Sequence, residues 1–301
     1  MNWKTGLITL MLPALALTAP VAAQEGRGDV VYVPTPQIVV DEMLTMAKVG
    51  PKDYLVDLGS GDGRFVITAA KKYGARAFGV DLDTHLLGIA RASAKKEGVA
   101  ERATFVEENL FTTDLSKATV VSTYLLPEMN LKLRPKILAL KPGTRVVAHD
   151  YHMGDWYPDL QKDIPVPEKV VGTPGVSYIY YWVVPSKVAG KWQARVEGAG
   201  KETPYEIAFE QLFQILEGSV SAGKASAPLR GRVLDGDKIT FTTQAKASPG
   251  GRRHEWNGRI AGDTMQGTVR IGEGAGAREA NWTAKLVQRG EMTRPSDEKA
   301  N

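Results

Sequence analysis

The chain has 301 residues, 43% of them hydrophobic and 24% charged, with a formal net charge of +4 and no cysteine. That composition is globular and excludes disulfides, thiolate catalysis and cysteine-bound metal. The charge is mild and spread along the sequence with no basic block, so nucleic acid is not an expected partner, and the length points to two domains.

Lys4, the apolar run Leu7 to Leu17 and the small residues Val21-Ala22-Ala23 read as a secretory signal over residues 1–23, cleaved ahead of Gln24. The run is short for a membrane span, which needs about 20 residues. An exported, periplasmic or secreted, non-spanning protein is expected. From Thr35 to about Tyr151, short β-branched runs alternate with helical stretches, the pattern of a parallel sheet wound with helices on both faces.

Thr35-Pro36 reads as an N-cap and first helical residue, with Ile38, Val39, Met43, Leu44 and Met46 as the apolar face. Strands are predicted at Tyr54–Asp57, Ala77–Val80, Ala103–Val106, Thr119–Leu125 and Thr144–Ala148. Helices are predicted at Arg64–Tyr73, Thr84–Glu97 and Glu128–Leu140, closed by Gly74, Gly98 and Lys141-Pro142-Gly143. Beyond Ser177–Val184 the sequence is rich in Gly, Thr and short charged turns. Leu229–Thr240 and Trp256–Met265 each read as strand, Gly-Asp turn, strand. An antiparallel β domain, barrel or sandwich, is therefore expected over 190–290, after a Rossmann-like domain over 31–185 and before a disordered tail over 291–301. Its tryptophans, among them Trp192 and Trp282, are read as core; the domain could face an envelope partner.

The strongest motif is Asp57-Leu58-Gly59-Ser60-Gly61-Asp62-Gly63, between a strand and a helix. Glycines there permit a tight turn and close approach of a ligand, at the sheet edge where open α/β folds bind nucleotides. The glycines recur at steps of two rather than in dinucleotide spacing. Asp57 would repel a pyrophosphate and attract an ammonium, so the turn suits a zwitterion. Asp81, ending the second strand, can accept from both hydroxyls of a ribose.

This run, with an acid ending the second strand, resembles the motifs of class I S-adenosylmethionine (SAM)-dependent methyltransferases. Tyr32-Val33-Pro34-Thr35-Pro36, Ser122-Thr123-Tyr124-Leu125-Leu126-Pro127-Glu128 and His149-Asp150-Tyr151-His152-Met153-Gly154-Asp155-Trp156 narrow the resemblance to small protein-lysine methyltransferases with mitochondrial and bacterial members, over Val31 to Trp156. It implies that Asp57, Gly59, Gly61 and Gly63 cradle the methionine part of SAM, Asp81 the ribose and Leu82 the adenine face. The turn at Asn109 and Leu110 would meet the adenine edge. Glu108-Asn109 stands where relatives carry Gly-Asp, which implies an uncharged acceptor and weaker binding. Tyr32, Pro34, Thr35 and Pro127 would line the acceptor side, with Tyr124 orienting the amine and Asp150 as a polar wall.

No metal is expected, because strand alternation sends His149 and Asp150 to opposite faces. Three readings remain at this point. One is methyl transfer to a protein side chain, lysine first; another is transfer to a small molecule; the third is an exported binding module for SAM or a nucleoside without turnover.

Overall fold

A computed structural model describes residues 31–198, 204–243 and 251–292. The predicted signal segment and all but the first two residues of the predicted tail lie outside the described residues. Five parallel strands, β1 (Tyr54–Leu58), β2 (Arg76–Asp81), β3 (Ala103–Glu107), β4 (Val120–Thr123) and β5 (Arg145–His149), are joined by antiparallel β6 (Leu160–Pro165) and β7 (Val176–Val183). The order is β3-β2-β1-β4-β5-β7-β6. Helices α1 (Gln37–Met46), α2 (Arg64–Tyr73), α3 (Thr84–Lys96) and α4 (Pro127–Ile137) accompany the sheet. Strands such as Leu55–Leu58 are buried residue by residue, because the sheet lies between two apolar clusters.

Several boundaries move for local reasons. Helix α1 begins one residue later than predicted, with Pro36 as cap: its carbonyl accepts from Val39 and Val40, and no side chain caps it. The Thr35 hydroxyl is instead spent on His149. Ile38 is not on the buried face; it is 58% exposed, and Val40 takes the inward position. Helix α3 is capped by Asp83, whose Oδ1 accepts from the amides of His85 and Leu86 at 2.9 and 3.1 Å. Helix α4 starts at Pro127, where a missing N–H costs nothing, and it stops at Ile137. Strand β6 escaped prediction because five of its six residues are exposed, which erases the alternation.

The β domain is a closed eight-stranded antiparallel barrel of β8 (Gly190–Val196), β9 (Tyr205–Leu212), β10 (Ile215–Ala222), β11 (Ala225–Asp235), β12 (Lys238–Thr243), β13 (His254–Ala261), β14 (Thr264–Ile271) and β15 (Arg278–Arg289). Each strand pairs with its neighbours in sequence, and β15 closes onto β8, which abolishes the edges. Trp192, Trp256 and Trp282 fill the interior. Gly258 and Gly267 face each other across β13 and β14. A Cβ on Gly258 would lie 2.6 Å from the Trp282 ring, so that glycine is what admits the indole. Both predicted Gly-Asp hairpins are present, Gly236-Asp237 joining β11 to β12 and Gly262-Asp263 joining β13 to β14.

Barrel and sheet share an apolar contact. The turn between β9 and β10 places Phe213, at φ 52, in the sheet's own cluster, with its ring 6.0 Å from Trp156. Beside it, Trp156 Nε1 donates to Gln214 Oε1 at 2.9 Å, and Gln214 Nε2 donates to the Tyr157 carbonyl at 2.8 Å. Phe213→Ala is expected to destabilise the full chain by about 3 kcal/mol, the range for an emptied aromatic site. A fragment of residues 31–185 keeps every strand of the sheet and should fold, but melt below the same sheet in the full chain. Thermal unfolding by circular dichroism measures both, and an equal melting temperature for the fragment would show that Phe213 contributes nothing.

Candidate active site

The parallel register of β1 between β2 and β4 sets Asp57 opposite Ser122, and Leu58 opposite Val80 and Thr123. These strand ends, the glycine turn, the segment Val31–Thr35 and the turn Glu108–Phe111 enclose a cleft of about 210 Å³. Asp57 is 7% exposed, and its Oδ1 accepts from Ser122 Oγ at 2.6 Å. Burial, with the nearby charges of Asp81 and Asp62, pushes its carboxyl up to about 7 against the pull of Ser122.

Asp81 is held by backbone: Gly61 N–H donates to Oδ2 at 2.8 Å and Asp83 N–H to Oδ1 at 3.0 Å. Each oxygen keeps a further lone pair for an outside donor. The glycines divide in role. A Cβ on Gly59 would press on Leu125, and one on Gly61 would lie 2.4 Å from the Tyr32 ring. Neither Gly61 nor Gly63 lines the cleft; Gly61 acts through its amide on Asp81, while Gly63, at φ 77, caps α2, and a Cβ there would meet Phe105 and Ala90 at 2.6 and 2.7 Å. Gly63 thus serves helix–sheet packing.

Tyr32 lies over the glycine turn, fixed from below by an ion pair that no local motif announces. Arg64 forks onto Asp62 at 2.6 to 3.0 Å and gives its remaining terminal nitrogen to the Thr35 carbonyl at 2.9 Å. Burial raises Asp62, but the hydrogen bonds and charge of Arg64 outweigh it and hold the carboxyl below its ordinary range. Burial and the neighbouring Asp62 charge push the Tyr32 phenol well above its usual value.

At the other lip, Tyr124 follows β4 directly and packs on His149, the rings tilted by 39° with centroids 4.0 Å apart. Its hydroxyl donates to Asp150 Oδ2 at 3.3 Å, and burial together with the Asp150 charge raises its phenol well above the ordinary range. Both tyrosines are thus neutral phenols at physiological pH.

Asp150 corrects the alternation argument. At φ 60 it leaves the strand path, and its Oδ1 comes to 3.5 Å from His149 Nε2 rather than onto the opposite face. It does not line the cleft; its side chain is 4% exposed and paired with Lys169. His149 is sealed between Thr35 Oγ1 at 3.1 Å and Ser177 Oγ at 2.9 Å, and burial pulls it down to about 4. Pro127 also stays off the cleft surface, as the first residue of α4.

Leu82, Asn109, Leu110, Tyr32, Pro34 and Thr35 all face the cleft. The Asn109 Oδ1 expected to read adenine accepts from Phe111 N–H at 2.9 Å, forming an Asx turn that braces the loop and leaves one lone pair. Ser60 Oγ and Thr123 Oγ1 are buried without a hydrogen-bond partner among the described residues, and both residues line the cleft. Buried polar atoms are rarely left so, and two in one cleft fit a ligand that carries donors and acceptors. With Asp57 desolvated and Asp81 oriented, the donor set fits the amino-acid and ribose parts of SAM. Ser60, Asp62, Ser122 and Thr123 entered the sequence reading only as members of motifs, and Arg64 and Lys169 were given no role; Ser122 and Lys169 owe their place to pairing across 65 and 19 residues.

Comparisons with known proteins concern the half of the chain that holds this cleft. The model of the ANTKMT methyltransferase domain matches residues 57–160. A protein-lysine N-methyltransferase of Saccharolobus islandicus (strain REY15A) is 47% identical over 129 residues, covering 42% of this chain and 80% of that protein. The adenine nucleotide translocase lysine N-methyltransferase of Mus musculus is 33% identical over 156 residues, covering 51% of this chain and 67% of that protein. Among solved structures, an RNA methyltransferase from Salinibacter ruber in complex with S-adenosyl-L-homocysteine is 46% identical, covering 52% of this chain and 96% of its own, with a TM-score of 0.48. The family match ends at the start of β6, so Lys169 and the barrel lie beyond it.

The buried Asp57 makes stability depend on pH. A carboxyl raised from 3.8 to about 7 favours folding fully below its unfolded value, and that contribution is lost as pH rises through 7. Asp57→Asn, which can still accept from Ser122, should leave stability unchanged at pH below about 4. At pH 8 it should raise stability by about 2 to 4 kcal/mol. Denaturant unfolding of both proteins at the two pH values checks this; a variant no more stable at pH 8 would refute the burial cost.

Proposed function

The chain belongs to the family of class I SAM-dependent methyltransferases that includes the protein-lysine N-methyltransferases, and from that premise we propose that it methylates a lysine side chain of a protein acceptor. The observation that carries the reading is the buried Asp57 carboxylate at the end of β1, paired to a single hydroxyl at the floor of a cleft whose two lips are neutral tyrosines. Bound SAM supplies a methyl carbon activated by its sulfonium, which leaves as a neutral thioether when a nucleophile takes the carbon.

The chain's own part is positioning and desolvation. Asp57, Ser60 and Thr123 would hold the amino-acid end of the cofactor, Asp81 the ribose, and Leu82, Asn109 and Leu110 the base. Tyr32 and Tyr124 cannot act as phenolate bases near neutral pH, because burial keeps their protons on. Their oxygens can accept an N–H from an amine that has already lost its extra proton to water, which orients its lone pair. Thr35, tied to His149 and Arg64, fixes the lip that carries Tyr32. The identity of the relatives supports lysine over a small-molecule acceptor, and an intact carboxylate and hydroxyl set supports turnover over silent binding. The export signature in residues 1–23 supports an acceptor in the cell envelope, presented to the cleft with help from the barrel.

SAM titrated calorimetrically into the full chain should bind in the micromolar to high-micromolar range. Gly61→Arg should abolish binding, since it drives a side chain into Tyr32 at positive φ. Asp81→Ala should cost about 1 to 3 kcal/mol of binding free energy. Wild-type affinity should fall as pH drops below 7, because a protonated Asp57 offers no charge to an ammonium; a flat profile from pH 6 to 8 would exclude that role.

Tritiated methyl from SAM should appear in alkali-stable methyl-lysine of an envelope protein extract. Label confined to extracted metabolites or RNA would reject the lysine reading. N-terminal sequencing after cell fractionation should find Gln24 first; a cytosolic chain starting at Met1 would reject export.

A further inference from the structure

Lys169 is the one buried lysine among the described residues. It sits in the turn between β6 and β7, which braces itself: Val166 N–H donates to the Gly175 carbonyl at 2.8 Å and Gly175 N–H to the Lys169 carbonyl at 3.0 Å. The side chain, 6% exposed, runs inward, and Nζ lies 2.8 Å from Asp150 Oδ1 and 2.7 Å from Oδ2, with a further bond to the Val176 carbonyl. Tyr178 N–H also donates to Asp150 Oδ1, at 3.1 Å. Such a buried pair is a poor device for stability, since desolvating two charges offsets most of their attraction. The third partner of Asp150 is more informative: its Oδ2 accepts a hydrogen bond from the Tyr124 hydroxyl.

A phenol has one proton and two lone pairs. With its proton committed to Asp150, Tyr124 can only accept on the side that faces the cleft. Lys169 Nζ holds both oxygens of Asp150, so it fixes the plane of the carboxyl and with it the acceptor that Tyr124 meets. Without that clamp the carboxyl is free to turn about its bond to Cβ, and the Tyr124 hydroxyl can swing its proton into the cleft, against the N–H of an arriving amine.

We propose that Lys169 is a positioning residue for methyl transfer: its pairing with Asp150 sets the direction of the Tyr124 hydrogen bond, so that the Tyr124 oxygen presents a lone pair to the acceptor amine. The inference rests on the lysine-acceptor reading above, and Lys169 stands outside the stretch that the methyltransferase family model matches.

The test uses the full chain, tritiated SAM and an envelope protein extract as acceptor. Lys169→Met should lower kcat at least tenfold while the SAM dissociation constant and KM for SAM stay within twofold, because Lys169 does not line the cofactor cleft. Lys169→Arg should recover most of the rate. In a Tyr124→Phe background, Lys169→Met should cost less than twofold more, since its effect passes through that hydroxyl. Equal losses in both backgrounds, or no loss in either, would overturn the proposal.

Should Lys169→Met not fold, Asp150→Asn combined with Lys169→Met removes both buried charges, and the same comparisons apply to it. A second readout needs no acceptor: the Cζ resonance of Tyr124 in protein labelled with 13C-tyrosine should shift in the charge-removing variant and stay in place with arginine. An unmoved resonance would also overturn the role of Lys169. Absence of any wild-type transfer would instead retire the acceptor reading, and the resonance alone would then decide on Lys169.

Discussion

The parallel pairing of β1 with β2 and β4 is the constraint from which the cleft follows. Because Asp57 is in register with Ser122, and Leu58 with Val80 and Thr123, the carboxyl ends of three strands finish at one edge. A shift of one residue would turn the Asp57 side chain to the other face of the sheet and away from Ser122. In the observed register the carboxylate is buried yet satisfied by one donor, poised for a cation. The nearby glycine turn must then cross the strand end at left-handed φ, and its Gly61 amide is what orients Asp81.

The second lip depends on a different device. Asp150 leaves β5 at positive φ, and that single backbone reversal gathers Lys169, Tyr178, His149 and Tyr124 around one carboxylate. The histidine, which invites a metal or a general base in sequence, is held neutral between two hydroxyls and serves as the platform under the Tyr124 ring. The Tyr124 side of the cleft is thus supported by charges, Asp150 and Lys169, that do not line it.

The barrel is closed and filled by its own aromatic side chains. The sheet takes something from it: Phe213 completes a cluster containing Trp156 and Trp182, and Arg134 of α4 lies 5.6 Å over the same ring. Since α4 also carries Met129 on the cleft wall, the barrel is mechanically joined to the site through one helix.

Local chemistry alone determined a good deal. Glycines at steps of two after a buried strand, Asp81 at the end of the next, and the Gly-Asp hairpins each act within a few residues, so their meaning survives without the fold. The α/β layer, the antiparallel domain and a turn suited to a zwitterion beside a ribose were legible for that reason, whereas SAM itself, and Leu82, Asn109 and Leu110 as its contacts, came from the resemblance of the motifs to a known family. What only the tertiary structure decided involves partners far apart in sequence or a backbone that departs from its regular path. Ser122 reaches Asp57 across 65 residues, and Lys169 reaches Asp150 because a turn folds back. Thr35 gives its hydroxyl to His149 instead of a helix amide. Gly63 is tied to Phe105 and Ala90 rather than to a ligand, and Asp150 was misplaced because periodicity assumes an unbroken strand. Pairing across strands obeys register and burial, which no window of neighbouring residues contains.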